Sequence, residues 1–359
     1  MRTEDLDYDL PPDRIATQPA HPRDAARLMV IWRRDGRIAH HRVSELADLT
    51  DVLAPGDRMV FNRTRVLPAR FEGSRRGTGG RVSGLYLESA GDDEWQVMLE
   101  AGGRLTVGES IDFDDESGIE LVENLGQGRW RVSVHSPHRT LQLLERVGTT
   151  PLPPYIRNQR QKQGEPPVGE NDATRYNTVF ASAAGSIAAP TAGLHFTREL
   201  LGRLQARGID RSELTLHIGA GTFMPVRTDV LEEHRMHAEW MHVPAGTLRE
   251  IESTRRAGGR IVPVGTTTVR ALESLPAEPL DTTADVCQHT ELFIRPGAGA
   301  ADLRYADALL TNFHLPRSTL LALVAALPGV GLDRLKQWYA VAVDEGYRFY
   351  SYGDAMLLL

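Results

Sequence analysis

The hydrophobic pattern of this chain changes period along its length, and that change limits the folds open to it. From Phe71 to Val134, apolar and polar residues alternate in short runs broken by glycine: Arg81-Val-Ser-Gly-Leu-Tyr-Leu, Trp95-Gln-Val-Met-Leu and Arg129-Trp-Arg-Val-Ser-Val. A period of two sets Tyr86, Trp95, Val97, Trp130 and Val132 on a pleated surface, and Gly79-Gly80, Gly102-Gly103 and Gly126 supply turns. Several short strands at this spacing predict a small antiparallel barrel or sandwich.

From Ser186 onward the pattern becomes an alternation of strands and helices. Short apolar strands are predicted at Leu214 to Ile218, Arg260 to Val264 and Ala308 to Thr311, with helices at Arg198 to Ala206, Thr247 to Ala257 and Thr319 to Ala326. A later helix, Asp333 to Val343, precedes a last strand near Ala355 to Leu359. Thr197 stands where a helix cap belongs, with Glu199 in the first turn and Gly208 past the end. This succession predicts an α/β fold with a mixed, largely parallel sheet. The strand Arg58-Met-Val-Phe-Asn62 joins the same sheet, so the β-rich block is an insertion. Residues 1–68 and 151–359 then form the α/β domain, and 69–150 the inserted antiparallel β-barrel. Leu141 to Val147 reads as a short helix, Pro151 to Tyr155 as a rigid extended segment, and Asn158 to Asp172 as a mobile polar loop.

With 359 residues, 41% hydrophobic and 25% charged, the chain can bury a sizeable core. Met1 to Asp9 is acidic and lacks the apolar run of a secretory signal, and the longest apolar stretch, Leu320 to Leu327, is too short to span a bilayer. One cysteine, Cys287, excludes an internal disulfide and suits a reducing compartment, so a cytoplasmic protein is expected. The net charge of −7 argues against nonspecific coating of nucleic acid. It leaves room for local basic surface: Arg63, Arg65, Arg70, Arg75, Arg76 and Arg81 crowd one stretch in which Glu72 is the only acid. Arg157, Arg160 and Lys162 form a second cluster. Such runs are usually solvated faces; a phosphate-contacting surface is the other reading.

In open α/β sheets ligands collect where strands end and helices begin. Four such junctions carry unusual polar content. Ala189-Pro-Thr-Ala-Gly-Leu-His-Phe196 brings Thr191 and His195 to a turn, with Gly193 permitting close approach. Leu216-His-Ile-Gly-Ala-Gly-Thr-Phe223 runs a strand into Gly219, Gly221 and Thr222, a cradle for a nucleoside or a simple bend; the third glycine of a dinucleotide fingerprint is missing. Val264-Gly-Thr-Thr-Thr-Val-Arg270 offers Thr266 and Thr267 at a helix start, where they cap the helix or bind a carboxylate. Arg270 is read in the first turn, where the dipole disfavours a cation, which points to an anionic ligand. Thr311-Asn-Phe-His-Leu-Pro-Arg-Ser-Thr319 presents Asn312 and His314 after a strand, with Pro316 beginning a helix and Ser318 or Thr319 as its candidate cap. A fifth group, His234, His237 and Glu239, shares a helix face if that stretch is helical. Its spacing departs from zinc-binding patterns, which favours a substrate-facing cluster over a metal site.

Taken in order, these segments resemble one family. The matching stretches are Phe61 to Arg70, Pro151 to Ile156, Ala188 to Thr197, Leu216 to Val226, His234 to Glu239, Val264 to Ser274, Thr311 to Leu320 and Tyr347 to Met356. Together they resemble the S-adenosylmethionine:tRNA ribosyltransferase-isomerases of queuosine biosynthesis. The chain departs from the family pattern at Gly79-Gly-Arg-Val-Ser-Gly84, at Arg104 and at Gln288-His-Thr-Glu-Leu-Phe293.

The resemblance implies transfer of the ribosyl part of S-adenosylmethionine onto 7-aminomethyl-7-deazaguanine in tRNA. The product is epoxyqueuosine-tRNA, with release of adenine and methionine. The sulfonium acidifies the adjacent 5′ carbon, so a base can form an ylide. Adenine then leaves, the amine attacks, and epoxide closure expels methionine. That chemistry uses S-adenosylmethionine as a substrate and needs no metal or further cofactor. It implies His195 or His314 as acid or base, with Asn312, Thr191 and Asp354 positioning the donor. Thr266, Thr267 and Arg270 would hold a carboxylate or phosphate. Arg63, Arg65 and Arg70 would meet the tRNA backbone. The expected assembly is a monomer without a membrane partner. Two other readings stay open: the same donor with a different acceptor, and a noncatalytic RNA-binding protein.

Overall fold

The strand Arg58–Asn62 is buried along its whole length, because both faces of the sheet that holds it are covered. The structure, a computed structural model, describes residues 1–219, 221, 226, 228–276, 280–297 and 303–359. In chain order the strands are β1 (Arg27–Ile31), β2 (Ile38–Arg42), β3 (Arg58–Asn62) and β4 (Thr64–Val66). Then come β5 (Arg70–Arg75), β6 (Arg81–Ser89), β7 (Glu94–Ala101), β8 (Ser110–Asp112), β9 (Gly118–Gly126), β10 (Arg129–His135) and β11 (Gly148–Thr149). The rest are β12 (Ala183–Ser186), β13 (Asp210–Leu216), β14 (Glu239–Val243), β15 (Ile261–Val264), β16 (Val286–Thr290), β17 (Leu309–Asn312) and β18 (Ala355–Leu358).

Nine of them form one sheet in the order β16-β14-β13-β3-β15-β17-β18-β1-β2. It is mixed: among the described residues four neighbouring pairs are parallel and four antiparallel, so the parallel character is confined to the β13-β3-β15-β17 centre and the β18-β1 pair. Successive residues send their side chains to opposite faces. Leu28 and Val30 of β1, Leu310 and Leu357 pack with Phe196, Leu200 and Leu204 on one side. Met29, Ile31, Leu309, Met356 and Leu358 pack on the other side with Leu321, Leu335 and Tyr339. The first layer comes from helix α4 (Arg198–Ala206), the second from α7 (Thr319–Ala325) and α8 (Leu332–Asp344), after the chain has placed α5 (Ala245–Arg256) and α6 (Thr266–Glu273) beside β13. Thr197 caps α4 by accepting the N–H of Leu200 at 3.1 Å, and Gly208 follows with φ of 75°.

A separate sheet runs β11-β5-β6-β7-β10-β9-β8 and closes through β5–β8, giving a six-stranded antiparallel barrel with β11 on its edge. Its strands bury alternate residues, Val82 and Tyr86, Trp95, Val97 and Leu99, Trp130, Val132 and Val134, around one core. Three arginines of this block are paired with acids that the linear order does not show: Arg75 with Glu109 at 3.1 Å, Arg76 with Asp112 at 2.7 Å, and Arg81 with Glu72.

Three expectations about local structure are corrected. The stretch from Asn158 to Asp172 is not all loop: helix α2 (Pro154–Lys162) begins on Pro154, at a position where its missing N–H is not needed, and α3 (Asp172–Arg175) starts at Asp172. The buried pair of Arg160 and Asp172, 2.6 Å apart, ties the two helices together. The helix after β17 does not begin at Pro316; it starts at Thr319, as the run Thr319 to Ala326 predicts, because Ser318 supplies the cap to Leu321 at 3.2 Å. Residues 234–238 are not helical; they lead directly into β14.

Candidate active site

The carboxyl ends of β13, β15 and β17 open into one cavity of about 440 Å³. Its floor is Asn312, the last residue of β17. The Asn312 amide Nδ2 donates to the Tyr350 carbonyl and to Nε2 of His195, each at 3.1 Å. Its Oδ1 is buried with no hydrogen-bond partner among the described residues. Tyr350, whose carbonyl fixes that amide, has φ of 75°, a left-handed conformation uncommon for a bulky side chain. Its ring lies 4.5 Å from that of Tyr155, and both line the cavity.

His314, also on the wall, receives or donates through Nε2 to Thr311 Oγ1 at 2.9 Å, and its backbone N–H donates to the Tyr339 hydroxyl at 3.0 Å. Burial pushes the His314 imidazole down to about 3. His195 is pushed down to about 4, chiefly by burial; Asp354 opposes that shift, while Arg348 and Arg23 add to it. Both rings are therefore neutral at pH 7 rather than poised near it.

The opposite wall comes from the β15–α6 turn. Gly265, with φ of 92°, lets the chain swing into α6 but gives no side chain to cap it, and Gly265, Thr266 and Thr267 all face the cavity. Arg270 falls in the last turn of α6, not the first, so the helix dipole favours its charge. The inference of an anionic ligand from a misplaced cation is thus overturned. Arg270 pairs with Glu239 in a buried contact, donates Nε to the Leu292 carbonyl at 3.1 Å, and leaves Glu239 Oε1 to accept the Gly219 N–H at 3.0 Å. With Glu239 so engaged, the cluster of His234, His237 and Glu239 does not share its carboxylate with the imidazoles. Burial lowers the His234 imidazole, and the neighbouring His237 lowers it further. His237 is exposed at the rim and makes no hydrogen bond to the described residues.

Of the residues singled out from sequence, Thr191, Gly221, His237, Glu239, Thr266, Thr267, Arg270, Asn312 and His314 line this cavity. His195, Gly193, Gly219 and Asp354 lie outside its lining. His195 sits behind Asn312, and Asp354 accepts the backbone N–H groups of Arg27 and Arg348 at 3.1 and 2.8 Å and the Arg348 guanidinium at 2.9 Å. Thr222 lies outside the described residues. Arg63 and Arg65 do not line it: Arg63 donates to Thr215 Oγ1 at 3.3 Å, and Arg65 pairs with Glu145 at 3.7 Å. Arg70 lines a second, smaller cleft. Sequence reasoning passed over Tyr155, Tyr176 and Tyr350, which give the cavity its aromatic side. The signal available was an aromatic directly after the rigid Pro-Leu-Pro-Pro run.

A family model described as queuosine biosynthesis protein matches residues 3–358. A curated relative from Gloeobacter violaceus, named S-adenosylmethionine:tRNA ribosyltransferase-isomerase, is 47% identical over 99% of this chain and 96% of its own. One of the same name from Anaeromyxobacter dehalogenans is 48% identical over 100% of this chain and 99% of its own. A crystal structure of S-adenosylmethionine tRNA ribosyltransferase from Thermotoga maritima is similar with a TM-score of 0.55 and 32% identity, covering 99% of this chain and 100% of that one.

Proposed function

The chain belongs to the queuosine biosynthesis protein family, and from that premise we propose that it is an S-adenosylmethionine:tRNA ribosyltransferase-isomerase. It moves the ribosyl part of S-adenosylmethionine onto 7-aminomethyl-7-deazaguanine in tRNA, isomerises it to the epoxide, and releases adenine and methionine. The observation that carries this reading is the convergence of four separated segments, around Thr191, Thr266, Asn312 and Tyr350, on one cavity. Its size falls within the range of about 300–1,000 Å³ usual for small-molecule sites.

The roles follow from what each group can offer. The buried Asn312 Oδ1 lacks a donor, and the bound donor substrate brings amine and hydroxyl hydrogens. The uncapped start of α6, with Thr266 and Thr267, suits the methionine carboxylate. Tyr155 and Tyr350 suit a stacked base. We assign proton transfer to His237, which lines the cavity and whose ring nitrogens have no partner among the described residues, and a positioning role to the neutral His195 and His314. S-adenosylmethionine is a substrate in this reading, with no resident cofactor or metal, and the protein acts as a cytoplasmic monomer. Among the described residues no helix is long and apolar enough to cross a membrane.

Adenine release from S-adenosylmethionine, measured with and without tRNA carrying the aminomethyl-deazaguanine, tests the whole assignment. Release that requires the modified tRNA supports donor and acceptor together; absence of release in protein that binds the donor removes the acceptor.

A further inference from the structure

Between the barrel and the start of α2 lies a second cleft of about 150 Å³, lined by Arg70, Ser83, Glu100, Pro154 and Arg157 among others. Two guanidinium groups share it. Arg70 donates to the Ser83 hydroxyl at 3.0 Å and has no acid within ion-pair reach among the described residues. Among the described residues the Arg157 side chain makes no hydrogen bond or ion pair, and its Nε is buried without a partner. Burial lowers the basicity of Arg157, the nearby Arg70 lowers it further, and Glu100 raises it. Glu100 is exposed and too far for an ion pair, so the cleft carries one acid against two cations.

Two like charges held in a partly desolvated cleft, one with an unsatisfied donor, cost free energy in the empty protein. An anion placed between them would reverse that cost, and paired guanidinium forks match the oxygens of a phosphate. The cleft is also placed for it: Pro154 lines both this cleft and the main cavity, so the two share a wall. A nucleotide whose base enters the main cavity keeps its phosphates outside, against that wall.

We propose that Arg70 and Arg157 form a phosphate subsite, on the joint between barrel and α/β sheet, that holds a phosphodiester of the acceptor RNA next to the reacting base. The assignment rests on the tRNA acceptor proposed above. Arg157 does not touch the reacting atoms, so its effect falls on RNA binding rather than on the chemical step.

The test uses the full chain and tRNA carrying the modified base, with adenine release as the readout at several salt concentrations. Arg157→Gln is expected to raise KM for the RNA about tenfold, leave kcat within about twofold, and flatten the dependence of log KM on log salt by about 0.7 to 1. Arg157→Lys should retain most of the salt dependence, and an unchanged Kd for S-adenosylmethionine shows that both variants are folded. Inorganic phosphate should compete with the RNA in the parent protein and not in Arg157→Gln. An Arg157→Gln protein with parental KM and salt dependence overturns the proposal. So does phosphate binding that is lost in Arg157→Gln while the RNA KM stays parental, since the cleft then takes a free anion instead. A parent protein that releases no adenine with this RNA sinks the acceptor reading itself, a different failure, visible before any variant is made.

Discussion

The side-chain amide of Asn312 bridges Nε2 of His195 and the carbonyl of Tyr350, 3.1 Å from each. A carbonyl can only accept, so Tyr350 fixes which end of the amide carries the nitrogen. His195 Nε2 must then accept as well, which places the ring proton on Nδ1. One residue with an unusual backbone thereby sets the orientation of an amide and the tautomer of a histidine. It also determines which atom of Asn312, Oδ1, is left without a partner among the described residues.

Asn312→Asp is therefore expected to act on two properties at once. It sets an oxygen against the Tyr350 carbonyl and against an accepting imidazole nitrogen, at a cost of about 1–3 kcal/mol of stability. Asn312→Ala removes the bridge and the unpaired acceptor together. Both should weaken S-adenosylmethionine binding at least tenfold by calorimetry. Parental affinity in Asn312→Ala would show that Oδ1 does not touch the donor.

The two buried histidines make stability depend on pH in a stated direction. Burial lowers His195 to about 4 and His314 to about 3 in the folded protein, against an ordinary value of 6.5. The unfolded chain therefore binds protons first as pH falls. Stability is complete above about pH 6.5 and declines as pH drops toward 4, by up to about 1.4 kcal/mol per pH unit for each ring. Urea midpoints of the parent, His195→Asn and His314→Asn between pH 7.5 and 4.5 check this. Each variant should lose part of the slope; an unchanged slope in both would assign the acid sensitivity to other groups.

Much of this fold is legible in the sequence wherever the deciding interactions are local. Thr197 caps its helix because three residues suffice to define a cap, and Arg58–Asn62 reads as a central strand because every position is apolar or buried by pairing. The barrel follows from a period of two. What escaped depends on distant partners. Asn158 to Lys162 reads as polar loop, yet Arg160 is buried by Asp172 and by the Thr17 carbonyl at 3.0 Å, neither of which composition can place. Arg270 reads as a misplaced cation because the end of α6 was uncertain by a turn and Glu239 lies on another strand. His195 and His314 stand out as near-neutral acids or bases by residue type; burial, a tertiary property, moves them out of that range.

The pair of Glu239 and Arg270 bears on both stability and binding. Each side chain is about 5% exposed, and each lines the cavity. Removing one partner strands the other charge in a dry wall, a loss of about 3–5 kcal/mol by the precedent of buried pairs. Glu239→Gln keeps an acceptor for the Gly219 N–H and should lose less than Glu239→Ala. Thermal unfolding of Arg270→Met, Glu239→Gln and the double variant reports the coupling. The double variant should be more stable than the sum of the two single losses implies. Simple additivity would mean the contact contributes nothing beyond packing.

Gly221 gives the sharpest test of His237. A Cβ added at Gly221 would lie 2.2 Å from the His237 ring, so Gly221→Ala must push the imidazole away from its present place. His237 is exposed at the rim and its ring nitrogens have no partners among the described residues; on that footing it can swing outward at little cost, and stability should change by no more than about 0.5 kcal/mol. If His237 carries the proton, displacing it lowers kcat for adenine release about tenfold or more, with little change in the Kd of S-adenosylmethionine. His237→Ala should produce the same loss, and Gly221→Ala should add nothing in that background, because both act through one ring. Two independent losses would instead give the glycine a role of its own, in the approach of the backbone to the ligand. A parental kcat in His237→Ala would take the proton transfer away from this residue altogether.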